Sequence, residues 1–221
     1  KPMVEIGEMP ILLHIMNYYS YFGHNEFIIC CGYKRNVIEE FFKKSEDNSY
    51  KTKAIKNDWK VNIVDTGEQT MTGGRLKRIK KYINKNEDFL FTYGDGLSDI
   101  NIKKQINYFN KFNKICLITG VKQKNKYGII KEKNSLVYKF DEKKNLRNDI
   151  INGGFFILNQ KIFKYISSKK NSFEKDVINK LIKYNEICVY KHNGFWQSMD
   201  NIRERDYLEK LWINNEAPWK I

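Results

Sequence analysis

The sequence predicts an α/β fold, with a Rossmann-like, mostly parallel central sheet, helices on both faces and a small antiparallel flank. Three observations lead to this prediction. Short apolar runs alternate with segments of helical spacing over the first 120 residues, as in a parallel sheet whose strands are joined by helices. Glycine-containing turns follow several of the apolar runs. Beyond residue 120 the segments shorten and alternate, which is typical of antiparallel strands.

The first half of the chain has the clearest periodicity. A helix is predicted from Pro10, a residue suited to the first helical turn, to Gly23, which supplies a stop. The elements that follow alternate between strand and helix: a strand at 26–31, a helix at 36–44, a strand at 61–65, a helix after the turn at 70–74, a strand at 89–93, a helix at 102–113 and a strand at 115–119.

The second half is predicted to form the flank and the end of the fold. Its elements are antiparallel strands at 128–131 and 136–140, a strand at 152–158, a helix at 174–183, a strand at 187–190 and a closing helix at 202–212. Because no linker rich in proline, glycine or serine divides the chain, we expect one domain over residues 1–221. The polar stretch 43–58 is expected to be a mobile surface loop.

Composition narrows the classes of function. The chain has 221 residues, 41% of them hydrophobic, a net charge of +14 and a mean hydropathy of −0.64. These values do not fit a membrane protein, and we expect no membrane partner. The positive charge favours anionic ligands and admits nucleic acid. Since no helix-turn-helix, aromatic-basic platform or zinc motif accompanies the charge, nucleic acid is not expected as a partner.

The cysteines predict a reducing environment. All four lie inside apolar runs and lack the paired spacing of a zinc site or a dithiol motif, so we expect buried free thiols. No signal peptide or lipidation motif is recognisable, and a cytoplasmic location is the expectation. The histidines show no metal-ligand spacing, and no serine or cysteine is framed as a nucleophile, so covalent catalysis is not expected.

Two aspartates follow apolar runs, where an open α/β sheet has its ligand crevice. Asp95 lies between two glycines after a strand and suits a divalent cation that also binds phosphates, although a turn aspartate bonding its own backbone is the alternative. Asp200 precedes the last helix, where an N-cap is the alternative. Both could hold one Mg²⁺ if they converge.

Glycine and basic residues suggest a phosphate-binding segment. Gly73 and Gly74 follow Thr72 at a predicted helix start and allow close approach of a ligand, while Arg75 could bind a phosphate or a carbonyl. The alternative is a flexible turn before a solvated basic helix face. Lys1 and Lys143 stand next to turns and could neutralise phosphate charge, with solvated side chains as the alternative.

Several motifs, taken together and in order, resemble one family. They are KPMVEIG, CGY, VDTGEQTMTGGRLKR, FTYGDGLSDINI, INGGFF, GFWQSMDNIRERDYLEKLW and APWK. The set closely resembles the glucose-1-phosphate cytidylyltransferases, a branch of the sugar nucleotidyltransferases, over nearly the whole chain. The resemblance implies that CTP and α-D-glucose 1-phosphate give CDP-glucose and pyrophosphate, with Mg²⁺ as cofactor and a homo-oligomer, a hexamer in this family. CDP-glucose would serve the synthesis of cell-surface polysaccharide such as O-antigen.

The resemblance also implies roles for residues at matching positions. Asp95 and Asp200 would hold Mg²⁺, Lys1 would stabilise the phosphates during the reaction, and Thr72 to Arg75 together with Asp95 would contact the nucleotide. On the sugar side, the matching positions are Gly128, Glu142, Lys143, Asn152 and Gly153. Of these, Glu142 would accept sugar hydroxyls and Lys143 would bind the sugar phosphate.

Departures from the family pattern leave alternatives open. The family begins with a strand and a glycine-rich loop, which we expect upstream of Lys1 in the natural protein. Lys144 stands where the family has proline, and the sequence from there to Asn152 is unlike the family loop, which leaves another sugar phosphate as an alternative substrate. The polar stretch at 43–58 is shorter than its family counterpart, which leaves open whether residues are missing there. A domain that binds a sugar nucleotide without turnover is the second alternative.

Overall fold

The computed structural model describes residues 1–46, 58–85, 87–122, 129–133, 136–141 and 150–221. The α-helices are α1 (Ile11–Tyr21), α2 (Arg35–Glu46), α3 (Thr72–Arg78), α4 (Ile102–Phe109), α5 (Asn179–Lys183) and α6 (Ile202–Ile213). Short 3₁₀ helices cover Lys80–Tyr82 and Gln160–Tyr165, and a π-helix covers Phe173–Ile178. The strands are β1 (Glu5–Ile6), β2 (Met9–Pro10), β3 (Glu26–Cys31), β4 (Lys60–Asp65), β5 (Asp88–Thr92), β6 (Gly96–Ser98), β7 (Cys116–Lys122), β8 (Ile129–Lys133), β9 (Leu136–Asp141), β10 (Ile150–Asn159), β11 (Ile187–His192) and β12 (Trp196–Ser198).

The α/β class is confirmed, and the strand directions are mixed. A four-stranded sheet has the order β11-β7-β10-β5, in which β11 runs parallel to β7 and β10 runs antiparallel to both of its neighbours. A second parallel pair is formed by β3 and β4. The predicted antiparallel flank corresponds to β8 and β9. The antiparallel direction of β10 relative to β7 fits the described part of their connection, which contains β8 and β9 and no crossover helix.

The two largest buried clusters of the described residues hold the sheets and helices together. One lies around α1, β6 and α6 and includes Ile11, Leu97 and Trp219. The other includes Phe156 of β10 and Leu76 of α3, and side chains of β3 also pack against it. The two parallel strands and the four-stranded sheet therefore share a core. Each fully buried side chain of this size contributes about 1.5–3 kcal/mol of transfer free energy.

Several boundaries differ from the sequence-based predictions. Residues 72–74, predicted as part of a turn, are helical, because α3 begins at Thr72 and includes both glycines. The predicted helix at 174–183 is a π-helix followed by α5. The polar loop predicted from residue 43 is wrong at its start, since α2 continues to Glu46, and residues 47–57 lie outside the described residues. The hairpin β1–β2 and the pair β6–β12 were not predicted, because strands of two or three residues have no recognisable period.

Within the described residues, none of the helices is long and apolar enough to cross a lipid bilayer. The cysteines are free thiols, as predicted, but only Cys31 and Cys116 are buried, whereas Cys30 and Cys188 are half-buried. Burial raises the pKa of the Cys30 thiol to about 11, so this thiol stays protonated at neutral pH.

Candidate active site

The short pair β6–β12 brings two distant segments to the end of β5. The chain leaves β5 at Thr92 and turns through residues 93–95 into β6, where Gly96 pairs with Ser198 of β12. The amide of Met199 donates a hydrogen bond to the backbone oxygen of Asp95 at 2.8 Å. Because the residue after Met199 is Asp200, this backbone contact brings the turn with Asp95 and the start of α6 together.

The side chains of Asp95 and Asp200 meet at Lys1. The Nζ atom of Lys1 donates a hydrogen bond to Asp200 Oδ1 at 2.6 Å and lies 3.8 Å from Asp95 Oδ2. The N-cap of α6 is Asn201, whose side chain accepts a hydrogen bond from the Glu204 amide at 3.1 Å. The interpretation of Asp200 as the N-cap is therefore wrong, and its carboxylate faces the ammonium group of Lys1.

The charges of the three groups influence each other. Burial raises the pKa of Asp95, Lys1 acts in the opposite direction, and the carboxylate of Asp200 raises it further. The hydrogen bond to Asp200 raises the pKa of Lys1. Two ionised carboxylates around one ammonium leave an excess negative charge, which attracts a further cation or a cationic metal complex.

The pair of carboxylates fits a divalent cation bound together with phosphates. Among the described residues there is no group of three or more histidine, cysteine or acidic side chains that could hold a metal. Magnesium is usually bound by one or two carboxylates, with phosphate oxygens and water completing its six ligands. The ammonium of Lys1 already occupies a position between the two carboxylates, which indicates that they can bind one cation jointly.

A cavity of about 240 Å³ opens beside the carboxylates. Its walls come from the ends of β5, β10 and β12 and include Thr92, Tyr93, Asp95, Gly96, Asn152, Gly153, Gly154, Phe155, Trp196, Ser198 and Asp200. Trp196 is fixed by a hydrogen bond from its Nε1 to the backbone oxygen of Gly153 at 2.7 Å. The cavity therefore contains Asn152 and Gly153, two of the residues that the family resemblance assigned to the sugar.

The segment Thr72 to Arg75 is not among the residues that line this cavity. A Cβ atom on Gly74 would lie 2.3 Å from the backbone oxygen of Lys169, so this glycine allows α3 to pack against another part of the chain. The guanidinium of Arg75 donates hydrogen bonds to the backbone oxygens of Cys31 and Glu68, both at 3.2 Å, and to Thr66 Oγ1 at 2.7 Å. Arg75 thus joins α3 to the chain at the ends of β3 and β4.

Some sequence-based assignments cannot be located, and some residues of the site were not assigned from the sequence. Gly128, Glu142 and Lys143 lie outside the described residues. Tyr93 and Trp196 line the cavity but were not singled out from the sequence, although both stand inside motifs, YGDG and GFWQ, that carried the family resemblance. No local signal marked Glu174, whose partner Tyr93 is 81 residues away in the chain.

Comparison with known proteins gives full-length similarities. The family described as "Nucleotidyl transferase" matches residues 1–203. The chain is 40% identical over 232 residues to a glucose-1-phosphate cytidylyltransferase of Salmonella typhimurium, covering 100% of this chain and 90% of that protein. It is 36% identical to a probable glucose-1-phosphate cytidylyltransferase of Bacillus subtilis, covering 100% of this chain and 91% of that protein.

Solved structures agree with the fold. The crystal structure of HddC from Yersinia pseudotuberculosis has a TM-score of 0.72 and 25% identity, covering 96% of this chain and 89% of HddC. A UDP-glucose pyrophosphorylase bound to UDP-glucose has a TM-score of 0.70 at 18% identity, covering 97% of this chain and 90% of that one. At that identity the second likeness concerns the fold alone.

Proposed function

Because this chain belongs to the nucleotidyl transferase family, we propose that it transfers the cytidylyl group of CTP to α-D-glucose 1-phosphate, releasing CDP-glucose and pyrophosphate. The observation that carries the proposal is the 40% identity to the Salmonella typhimurium glucose-1-phosphate cytidylyltransferase over the whole of this chain. Asp95 and Asp200 beside one cavity support it, because two carboxylates can hold a metal ion that positions the phosphates and neutralises their charge, as nucleotidyl transfer requires.

In the proposed reaction, an oxygen of the sugar phosphate attacks the α-phosphorus of CTP in line, and the bond to pyrophosphate breaks. No covalent intermediate with the protein forms. The demand on the protein is to hold two anionic substrates at reacting distance, which can supply several kcal/mol of the rate acceleration. Asn152 and Gly153 would bind the hexose in the cavity, together with Gly128, Glu142 and Lys143. Thr72, Gly73, Gly74 and Arg75 would bind the nucleotide.

This family generally uses a divalent metal ion, and we propose Mg²⁺ held by Asp95 and Asp200. Bound there, the ion would neutralise charge on phosphate oxygens. Lys1 would move its ammonium group from the carboxylates to the phosphates, where it would offset the charge of the leaving pyrophosphate. Its present contacts with both aspartates support this role, because they keep the ammonium at the mouth of the cavity.

A pyrophosphate-release assay tests the proposal. The protein is incubated with Mg²⁺, glucose 1-phosphate and each of CTP, UTP, GTP, ATP and dTTP in turn. We expect release that depends on both the sugar phosphate and CTP. A second series with CTP and other hexose 1-phosphates identifies the sugar. Absence of pyrophosphate with CTP and glucose 1-phosphate, under conditions where the protein is folded by circular dichroism, would contradict the proposal.

A further inference from the structure

Glu174 connects the cavity with the first turn of α3 through hydroxyl groups. It is the second residue of the π-helix, and its carboxylate accepts a short hydrogen bond from the Tyr93 hydroxyl through Oε1. Its Oε2 accepts hydrogen bonds from Thr72 Oγ1 and Ser172 Oγ, each at 2.8 Å. One carboxylate therefore joins the turn after β5, the first residue of α3 and the start of the π-helix, a type of helix that is frequent at functional sites.

On one side, Glu174 contacts the cavity lining through Tyr93. The backbone amide of Tyr93 donates a hydrogen bond to the Gly154 oxygen at 3.0 Å. The Tyr93 ring lies so close to Gly154 that a Cβ atom there would come within 2.8 Å of it. Burial and the Glu174 carboxylate raise the pKa of Tyr93, and a hydrogen bond with the Asn152 side chain acts in the opposite direction. The position of Tyr93 thus affects both Asn152 and the turn that contains Asp95.

On the other side, Glu174 contacts the first turn of α3 through Thr72. Besides donating to Glu174, Thr72 Oγ1 accepts a hydrogen bond from the Phe173 amide at 2.8 Å. The amide of Gly74 donates to the Asn171 oxygen at 3.2 Å. Thr72 and Gly74 are held by the same segment, 171–174, that supplies the carboxylate to Tyr93.

Glu174 is ionised in this setting. Burial opposes the charge, but the hydrogen bonds from Tyr93, Ser172 and Thr72 outweigh it and hold the pKa of Glu174 below its usual range. None of the described lysines or arginines forms an ion pair with it. The desolvation of the carboxylate is offset by the hydroxyl donors of Tyr93 and Thr72. Because both bind the same carboxylate, loss of one hydrogen bond changes the strength of the other.

We propose that Glu174 is a positioning residue that fixes the sugar-side wall, through Tyr93, relative to the nucleotide-side turn, through Thr72. This inference rests on the proposed function, which assigns the sugar to the side of Tyr93 and the nucleotide to the side of Thr72. Glu174 itself is not among the residues that line the cavity. Its effect is to keep Asn152 and the Asp95 turn in register with Thr72 to Gly74, so that the two substrates are held at reacting distance.

Kinetics of variants test the inference. We expect Glu174→Ala to lower kcat/KM by about tenfold to a hundredfold, since small displacements of positioned substrates are costly. Glu174→Gln keeps one acceptor oxygen and is expected to restore most of the activity. Tyr93→Phe removes only the hydroxyl, and Tyr93→Phe combined with Glu174→Ala should cost no more than Glu174→Ala alone, because both changes break one connection.

The matched control is Asp176→Ala, in the same π-helix. Its carboxylate accepts hydrogen bonds from the Ser172 amide at 2.7 Å and from Asn171 at 3.5 Å. We expect this control to lower the Tm while leaving kcat/KM within about threefold of wild type. If Asp176→Ala and Glu174→Ala lower activity in the same proportion to their loss of Tm, or if the losses of Tyr93→Phe and Glu174→Ala multiply, the inference is overturned.

Hydrogen–deuterium exchange keeps this test separate from the test of the proposed function. In Glu174→Ala we expect faster amide exchange in residues 91–97 and 71–76, and no such change in Asp176→Ala. Equal exchange in the two variants would overturn the positioning role even in a protein without turnover. A wild type that releases no pyrophosphate, but shows this difference in exchange, would contradict the proposed function alone.

Discussion

Two carboxylates and one ammonium meet where β5 ends, and this charge arrangement decides what the site can bind. Lys1 is exposed over half of its side chain, so its ion pairs contribute little to stability. The same contacts place a positive charge beside two negative ones at the mouth of a cavity. A carboxyl group in a cleft whose pKa is shifted by burial and by charged neighbours, as that of Asp95 is, is typical of a functional site.

At the residue scale, we expect Asp95→Asn and Asp200→Asn each to lower kcat by at least about a hundredfold, because a lost metal ligand acts mainly in the transition state. Melting temperatures should change by only a few degrees, since both side chains are partly exposed. Pyrophosphate release and thermal unfolding are the measurements.

The matched control for these changes is Asp206→Asn on α6. Asp206 is exposed and its described ion pair is with the adjacent Arg205 at 2.5 Å, so the same loss of charge there should leave kcat unchanged. A similar loss of activity in Asp206→Asn, or losses of Tm that parallel the losses of activity in the other two variants, would mean that Asp95 and Asp200 are structural.

At the element scale, the glycines of α3 have a packing role that the sequence did not reveal. The TGGR segment predicted a close approach by a ligand, and on the side where Cβ atoms of Gly73 and Gly74 would lie the structure has a close approach by the chain itself, at Asn171 and Lys169. Glycine motifs indicate that something comes near the backbone, but the pattern alone does not identify what it is. Long elements such as α1 and β3 were predicted well because their apolar periods extend over several residues.

Gly74→Ala tests this packing role. A helix gains up to about 1 kcal/mol when alanine replaces glycine, but overpacking typically costs about 1–3 kcal/mol. With a Cβ atom 2.3 Å from a backbone oxygen, the clash should prevail and lower the free energy of unfolding by at least about 1 kcal/mol. Urea denaturation measures it.

Gly96→Ala provides the comparison, because the atom nearest to its Cβ would lie at an ordinary 3.8 Å. We expect this variant to stay within about 0.5 kcal/mol of wild type in the free energy of unfolding. A Gly74→Ala protein as stable as Gly96→Ala would contradict the packing role of the glycine in α3.

At the scale of the whole molecule, His14 ties the start of the chain to its end. Its Nε2 hydrogen-bonds the Ile6 oxygen at 2.8 Å, and its Nδ1 accepts a hydrogen bond from Trp219 Nε1 at 3.3 Å. These contacts require the neutral ring protonated at Nε2. Burial is the main cause that lowers the pKa of His14 below its usual value of 6.5.

This network has a consequence for stability against pH. Because the unfolded chain binds a proton at His14 near pH 6.5 and the folded protein resists it, stability is fully present above that pH and falls as the pH drops below it. We expect His14→Gln to flatten this fall, measured as the free energy of unfolding between pH 7.5 and about 5. An unchanged slope in His14→Gln would contradict the assignment.

The site was predictable from the sequence in its parts more than in its arrangement. Asp95 and Asp200 were indicated because each follows an apolar run, and Asn152 was indicated by the family resemblance alone. Their convergence depends on β6 and β12, strands of three residues each, and on the antiparallel direction of β10. Such short-strand pairings are decided by tertiary packing, for which a single sequence has no periodic signal. The hydrogen bond between Tyr93 and Glu174 could not be predicted for the same reason.

The central claim is that Asp95 and Asp200 act together on one cation, and a double-mutant cycle on kcat/KM for pyrophosphate release tests it most directly. The four proteins are wild type, Asp95→Asn, Asp200→Asn and the double variant. If both carboxylates hold the same ion, the double variant should lose no more activity than about the worse single variant. Losses that multiply would mean that the two aspartates act independently, which would contradict the account.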